Sequence, residues 1–352
     1  MEIIKLDPEY PDIDKISYCA DIVRKGGLVI FPTDTVYGIG ADLFNKVAID
    51  RLRKVKRRPE DKPFSVLVPS REALLAYSRS DSTSLYKVID AFWPGPLTVV
   101  VTSKLEGETI GLRMPDNIIA LRLIFESRSV LAAPSANISG ESAPVNCQDA
   151  VEQFKGLVDI AIDGGETKFK RSSSVVDLTT DKPVMLREGV ISIEEVEHIA
   201  SRKTVLFVCT GNSCRSVMAE YLLRDRLKDR DDIEITSAGT GVFLRFPATD
   251  ETIAVLKEEG IDASGHFSRP LDRILLKKAD LIFVMTARHR EQVLTMAPEV
   301  SSRVYLLREF CVSKQDVRNG LDIPDPIGKS HEEYKQCLSI IKEAVDKVCD
   351  LV

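Results

Sequence analysis

The sequence predicts an α/β protein of two domains: a mixed α/β domain on a twisted sheet over residues 1–200, and a doubly wound parallel sheet with a phosphate-binding loop over 201–352. Three observations predict it. At 352 residues the chain exceeds the roughly 250–300 at which one hydrophobic core stops growing. Short apolar runs of strand character alternate with helical stretches along its length. The pattern restarts near residue 200, where the polar helical stretch SIEEVEHIASRK (192–203) meets the apolar run TVLFVC (204–209). That junction sets the boundary at about 200–203.

In the first domain Ile13, Ile16, Ala20 and Val23 recur at helical spacing, and Gly26–Gly27 ends that helix before the strand LVIF (28–31). Further strands are expected at 66–68, 97–102, 130–133, 158–162 and 174–178, with helices around 45–56, 83–92 and 147–155. In the second domain TVLFVC leads through a Gly-containing loop to a helix, then to strands near 233–236, 280–285 and 303–307 with helices between them. This alternation implies a parallel sheet wrapped by helices. Ser330 with Glu333 predicts a capping box opening the last helix.

Composition narrows the function classes. Apolar residues make up 44% and charged residues 29%, an ordinary globular profile. A net charge of −6 excludes a blanket nucleic-acid binder and leaves only local basic patches for that purpose. The start MEIIKLDPEY lacks a signal-peptide layout, and no apolar run approaches the roughly 18–20 residues that span a bilayer, so no membrane role is expected. Seven cysteines without a CxxC pair point to a reducing compartment, and the expected location is the cytoplasm. No histidine precedes His198, which disfavours zinc in the first domain; a metal there is expected to be Mg²⁺ carried by a phosphate substrate.

The strongest chemical signal is VLFVCTGNSCRSVMAEYLL (205–223). A strand delivers Cys209, the loop Thr210, Gly211, Asn212, Ser213 and Cys214 follows, and Arg215 and Ser216 open a helix. Loop N–H groups converge on one point and the helix N-terminus adds positive potential, which suits a phosphate. Arg215 can grip two phosphate oxygens in its planar fork. The same field favours a thiolate over a thiol at Cys209, and Ser216 is placed to donate to the sulfur. Attack on phosphorus also needs a proton for the leaving group, and Asp325 in the Pro-stiffened segment DIPDPIG (322–328) can supply it.

Residues 203–352 resemble a low-molecular-weight protein tyrosine phosphatase along the whole domain, through CTGNSCRS (209–216), SAGT (237–240), HFSRPL (266–271), ADLIFVMT (279–286), DPIG (325–328) and SHEEYKQC (330–337). The resemblance implies Cys209 as nucleophile, Arg215 as phosphate ligand, Asp325 as general acid and then base, no cofactor, and a phosphorylated protein as substrate. It also implies that Cys214 can form a reversible disulfide with Cys209, with buried packing as its alternative role. Tyrosine-directed members carry Ile where this chain has Ser213, and the protein-arginine branch carries Thr. Ile327 replaces the aromatic residues that stack on phosphotyrosine. The expectation is therefore phosphoarginine, with phosphotyrosine as the alternative. An arsenate-reducing branch is disfavoured because VMTARHREQV (284–293) holds no cysteine.

In the first domain RLRKVKRRPEDK (51–62) places seven basic residues in twelve positions, and PTDTVYG (32–38) and APSANISG (133–140) each follow a strand. A charge run is ordinarily a solvated face; its functional reading is a grip on polyphosphate. Short polar loops at strand ends are where α/β proteins build ligand sites. Over residues 10–195 the chain resembles the YrdC-like threonylcarbamoyl-AMP synthases, through FPTDTVYGIGAD (31–42), KRRPEDKPFSVLV (56–68), WPGPLTVVV (93–101), TIGLRMP (109–115), APSANISG, SSVVDL (173–178) and LREGVIS (186–192). That resemblance implies condensation of L-threonine, bicarbonate and ATP, with Mg²⁺, into threonylcarbamoyl-adenylate and pyrophosphate, which feeds tRNA modification at adenosine 37. It places Lys56, Arg58, Lys62, Thr109, Asn137 and Arg187 on ATP, and Thr35, Arg113, Ser135 and Ser173 on threonine. Lys62 and Leu67 stand where relatives often have Asn and His. Two rival readings follow from the residues: a non-catalytic RNA-binding module using the basic run at 51–62, and a second domain that reads phosphate without turnover.

Overall fold

The computed structural model describes residues 1–105, 107–180, 182–311 and 320–352, and the chain divides into two compact units, Met1–Ala200 and Ser201–Val352. In the first, β1 (Glu2–Lys5), β2 (Val29–Phe31), β3 (Gly38–Asp42), β4 (Ser65–Leu67), β5 (Leu97–Thr102), β6 (Thr109–Arg113), β7 (Leu131–Ala132), β8 (Ile160–Asp163), β9 (Ser174–Asp177) and β10 (Val184–Arg187) form one sheet. Its order is β1-β8-β2-β3-β7-β4-β6-β5-β9-β10. The sheet is mixed: β4 runs parallel to β6 and β5 to β9, while β2/β3, β5/β6 and β9/β10 are antiparallel.

The helix Ile13–Arg24 begins at Asp12, whose carboxylate accepts from the N–H groups of Asp14 and Lys15. It buries Ile16, Cys19, Ala20 and Val23 against the helix Ile118–Ser127 and the sheet. Ile13, counted in that stripe from the sequence, is exposed, because the first turn lies beyond the edge of the packed face. Gly26 at φ +84° turns the chain, and a Cβ there would stand 2.8 Å from Asn45 Nδ2.

In the second unit β11 (Lys203–Cys209), β12 (Ile233–Gly239), β13 (Leu281–Val284) and β14 (Val304–Leu306) form an all-parallel sheet of order β12-β11-β13-β14. Side chains of β11 alternate between two cores. Val205, Phe207 and Cys209 pack with Met218, Leu222 and Ile341, whereas Leu206 and Val208 pack with Leu275 and Val293. The chain leaves β11 for β12 on one side and returns to β13 on the other. A crevice at the carboxyl end of β11 follows from that reversal, and Cys209 is the last residue of the strand. The last helix, His331–Cys349, opens with the Ser330–Glu333 capping box.

Candidate functional sites

In the second unit Cys209 is buried at the base of the crevice, with Ser216 Oγ 3.0 Å from its sulfur and the Asn212 N–H donating to it at 3.2 Å. Asn212 adopts a left-handed conformation, φ 50°, which an asparagine tolerates when its side chain is held. Its Nδ2 donates to Ser216 Oγ (3.0 Å) and Ser237 Oγ (2.6 Å), and its Oδ1 accepts from the Arg269 N–H (2.7 Å). Ser237 donates in turn to buried Glu220, which pairs with Arg224 at 2.7 Å, and His266 Nε2 reaches the Asn212 carbonyl at 2.9 Å. Gly239 admits this loop: a Cβ there would lie 2.4 Å from the Thr210 carbonyl oxygen.

Arg215 opens the helix Arg215–Arg226 and is buried. Nη1 donates to the Ile323 carbonyl (3.2 Å) and Nη2 to Asp325 Oδ2, while Nε is buried without a partner among the described residues. Asp325 is also held by the Ile327 N–H, 3.2 Å from Oδ1. Thus nucleophile, cation and acid, predicted from segments more than a hundred residues apart, meet in one crevice. Gly211 and Ser213 stand beside an apolar wall of Val242, Phe243 and Phe246. Cys214 is buried, its sulfur 3.5 Å from Thr249 Oγ1 and 3.6 Å from the Tyr334 hydroxyl.

The first unit gathers a polar cleft at the ends of β3, β4 and β6. Thr35, Arg58, Arg113, Ser135, Ser173 and Arg187 all line it. Arg113 is buried; Nε donates to the Gly95 carbonyl (2.9 Å), Nη1 to Thr35 Oγ1 (2.8 Å) and Nη2 to Asp34 Oδ1. Asp34 was invisible in the sequence as a site residue. It is almost fully buried, and its second oxygen has no donor among the described residues. Arg187 donates to the Ser173 carbonyl (2.9 Å) and hydroxyl (3.0 Å), and Thr98 Oγ1 lies 3.0 Å from the same hydroxyl. Desolvation, then the charges of Arg113 and Arg58, holds the Arg187 pKa below the usual guanidinium range. Three cations therefore converge on the cleft, one of them, Arg113, paired with the buried Asp34 carboxylate.

The remaining predicted residues stand elsewhere. Lys56 is buried and donates to the Ser135 and Asn137 carbonyls, so it fixes the 133–140 loop; burial, then Arg58, pushes its pKa down to about 7. Asn137 turns into that loop, donating to the Ile138 and Glu141 carbonyls. Lys62 is exposed, and its carbonyl accepts from Arg53 and Arg58, which both stack on Phe64. Thr109 is exposed at the far end of β6 from Arg113, about 13 Å away at strand rise, and does not line the cleft around Arg113.

Comparison with known proteins follows the same division. Residues 21–189 match the Sua5/YciO/YrdC family model, described as "Telomere recombination", and residues 204–352 match low molecular weight phosphotyrosine protein phosphatase. The threonylcarbamoyl-AMP synthase of Pyrococcus abyssi is 35% identical over 254 residues, 70% of this chain and 74% of that protein. The Bacillus subtilis enzyme of the same name is 34% identical over 194 residues, 53% of this chain and 56% of that protein. The crystal structure of P. abyssi Sua5 complexed with L-threonine aligns with a TM-score of 0.55 and 26% identity, covering 87% of this chain and 99% of that one. Escherichia coli YciO aligns at 0.52 and 26%, covering 56% of this chain and 100% of that one.

Proposed function

The chain belongs to the threonylcarbamoyl-AMP synthase family and carries a low-molecular-weight phosphatase domain behind the synthase, and we propose that its two sites make threonylcarbamoyl-adenylate for tRNA modification and hydrolyse protein phosphoarginine. The observation that carries the phosphatase chemistry is the paired state of Arg215. Its Nη2 is engaged by Asp325 and its Nε has no partner among the described residues, so an incoming phosphate can take the Nε–Nη2 edge of the guanidinium. Asp325 is then released to face the leaving group. The Cys209 sulfur attacks phosphorus, the bond from phosphorus to the guanidinium nitrogen breaks, and Asp325 gives its proton to that nitrogen. Water next attacks the cysteinyl phosphate and passes a proton to Asp325, which returns inorganic phosphate and the Cys209 thiolate. Ser216 and the Asn212 amide stabilise the sulfur anion at both ends of the cycle.

Ser213 supports phosphoarginine, because a small hydroxyl offers a guanidinium a polar contact beside the apolar wall. Phe243, 95% exposed beside Ser213, favours a second reading in which an aromatic ring stacks there, as phosphotyrosine would. Turnover of matched phosphoarginine and phosphotyrosine peptides decides: faster phosphotyrosine hydrolysis ends the first reading.

In the synthase Arg113, fixed by Thr35 and Asp34, would take the threonine carboxylate. Arg58 and Arg187 would disperse charge as the carbamate oxygen attacks the α-phosphorus and pyrophosphate leaves. Among the described residues that line the cleft none is a carboxylate, so Mg²⁺ would be held by the nucleotide phosphates rather than by the protein and would supply further charge neutralisation there. Pyrophosphate release that requires threonine and bicarbonate tests this reading; RNA binding without such release would replace it.

A further inference from the structure

His289 lies outside every role given above, yet it is buried against the phosphate loop. Its Nε2 is 2.9 Å from Thr210 Oγ1, and its Nδ1 is 2.9 Å from Thr286 Oγ1. Thr286 caps the helix Ala287–Met296 and already accepts the main-chain N–H of His289 at 3.3 Å. Counting hydrogens along this chain selects one tautomer. The Thr286 oxygen accepts from the main chain, so its own hydrogen goes to Nδ1. The ring then carries its proton on Nε2 and donates it to Thr210. The opposite tautomer would aim two donors at the Thr286 oxygen and leave the hydroxyl hydrogen of Thr286 without an acceptor among the described residues. A doubly protonated ring is also disfavoured. Burial, then the Arg215 charge, pushes the His289 pKa down to about 4, with Arg288 adding to this and Asp325 and Asp322 opposing it.

This wiring leaves one hydrogen over. Thr210 Oγ1 accepts from His289, so its own hydrogen is free, on an exposed residue directly after the nucleophile. We propose that His289 is a positioning residue of the phosphatase site, and that Thr210, held by it, is a substrate-contacting donor that presents its hydroxyl hydrogen to an oxygen of the transferring phosphoryl group. A neutral ring bonded at both nitrogens has no proton to give the leaving group, which leaves Asp325 alone in that role.

The inference rests on the phosphatase reading, and inorganic phosphate binding separates the two. In the full chain, Thr210→Val weakens phosphate binding by calorimetry, and raises KM for p-nitrophenyl phosphate, about tenfold, as loss of one hydrogen bond to a charged acceptor does. His289→Leu gives the same loss, the double variant loses no more than either single one, and His289→Gln, whose amide can donate to Thr210, recovers most of it. A purely structural histidine would instead lower the unfolding midpoint and leave phosphate affinity within twofold. Thr210→Val within twofold of wild type, or losses that multiply in the double variant, overturns the proposal. Should His289→Leu fail to fold, Thr210→Val alone still decides. A wild type that binds phosphate without turning over p-nitrophenyl phosphate refutes the phosphatase reading and leaves this inference to the binding data.

Discussion

Around Cys209 almost every polar atom is assigned: a hydroxyl and an amide on the sulfur, a carboxylate on the arginine, and an asparagine tied at three points. The synthase cleft is built the other way. Arg58, Arg113 and Arg187 face a common space, and the first two of these hold loops or a buried carboxylate while the third holds Ser173. The difference follows from the chemistry. A protein nucleophile must be activated before substrate arrives, so the groups that hold its sulfur are already in place. A reaction among bound substrates on a phosphate chain asks for positioning and for cations gathered in one cleft.

The largest effect that could break this comparison comes from the nucleophile. Cys209→Ser is expected to lower p-nitrophenyl phosphate turnover by about four orders of magnitude or more, since members of a catalytic unit fail together. Threonine-dependent pyrophosphate release should stay within twofold of wild type. If both fell, the sites would not be independent; if neither did, Cys209 is not the nucleophile.

Next comes Arg113. Arg113→Gln strands Asp34 in the interior, and loss of one partner of a buried pair costs about 3–5 kcal/mol. Urea unfolding of the first unit should show it, with a raised KM for threonine. Adding Asp34→Asn should recover part of the stability without recovering the KM. A single variant as stable as wild type would mean that the pair is not closed in solution.

Gly239 sharpens the contrast at intermediate size. A methyl at that position meets the Thr210 carbonyl at 2.4 Å and the Asn212 nitrogen at 3.0 Å, so Gly239→Ala displaces the phosphate loop. A displacement near 1 Å in a positioned site costs about a hundredfold, here in phosphatase kcat/KM. In the synthase Gly189 packs as closely, 2.3 Å from the Ser174 nitrogen by the same construction, and Gly189→Ala should lower pyrophosphate release alone. Equal loss of both activities from either change would sink the division into separately built sites.

Much of this was legible because it is local. TVLFVC, its loop and the helix after it are contiguous, so strand, nucleophile and phosphate cradle could be read in one pass. LVIF, LTVVVT and the capping box at Ser330 are equally self-declaring. The edge strands were missed, since EIIK and VMLR leave most side chains exposed and carry no inside–outside alternation. The helix Ile118–Ser127 was missed because its apolar residues spread around the axis. In the sites, Asp34, Gly239 and His289 act through partners that the sheet topology supplies, and no spacing announces them. Thr109 is the opposite case: a motif names it, and the length of its own strand sets it apart from the cleft around Arg113.

The smallest effect is a pH dependence confined to one unit. His289 titrates at about 4 in the folded chain, against its ordinary 6.5 when unfolded. Between those values the unfolded state binds the extra proton and the folded state does not, so this group makes stability rise with pH across the window. On acidification from 6.5 towards 4 the second unit should therefore lose stability progressively through His289. His289→Gln carries no such proton and should flatten that part of the curve, measured by urea unfolding of the second unit at a series of pH values. His289 lies in the second unit, so the first unit's own curve should be indifferent to the change. If the slopes of wild type and His289→Gln coincide, the imidazole is not held neutral, and the tautomer that leaves the Thr210 hydrogen free loses its support.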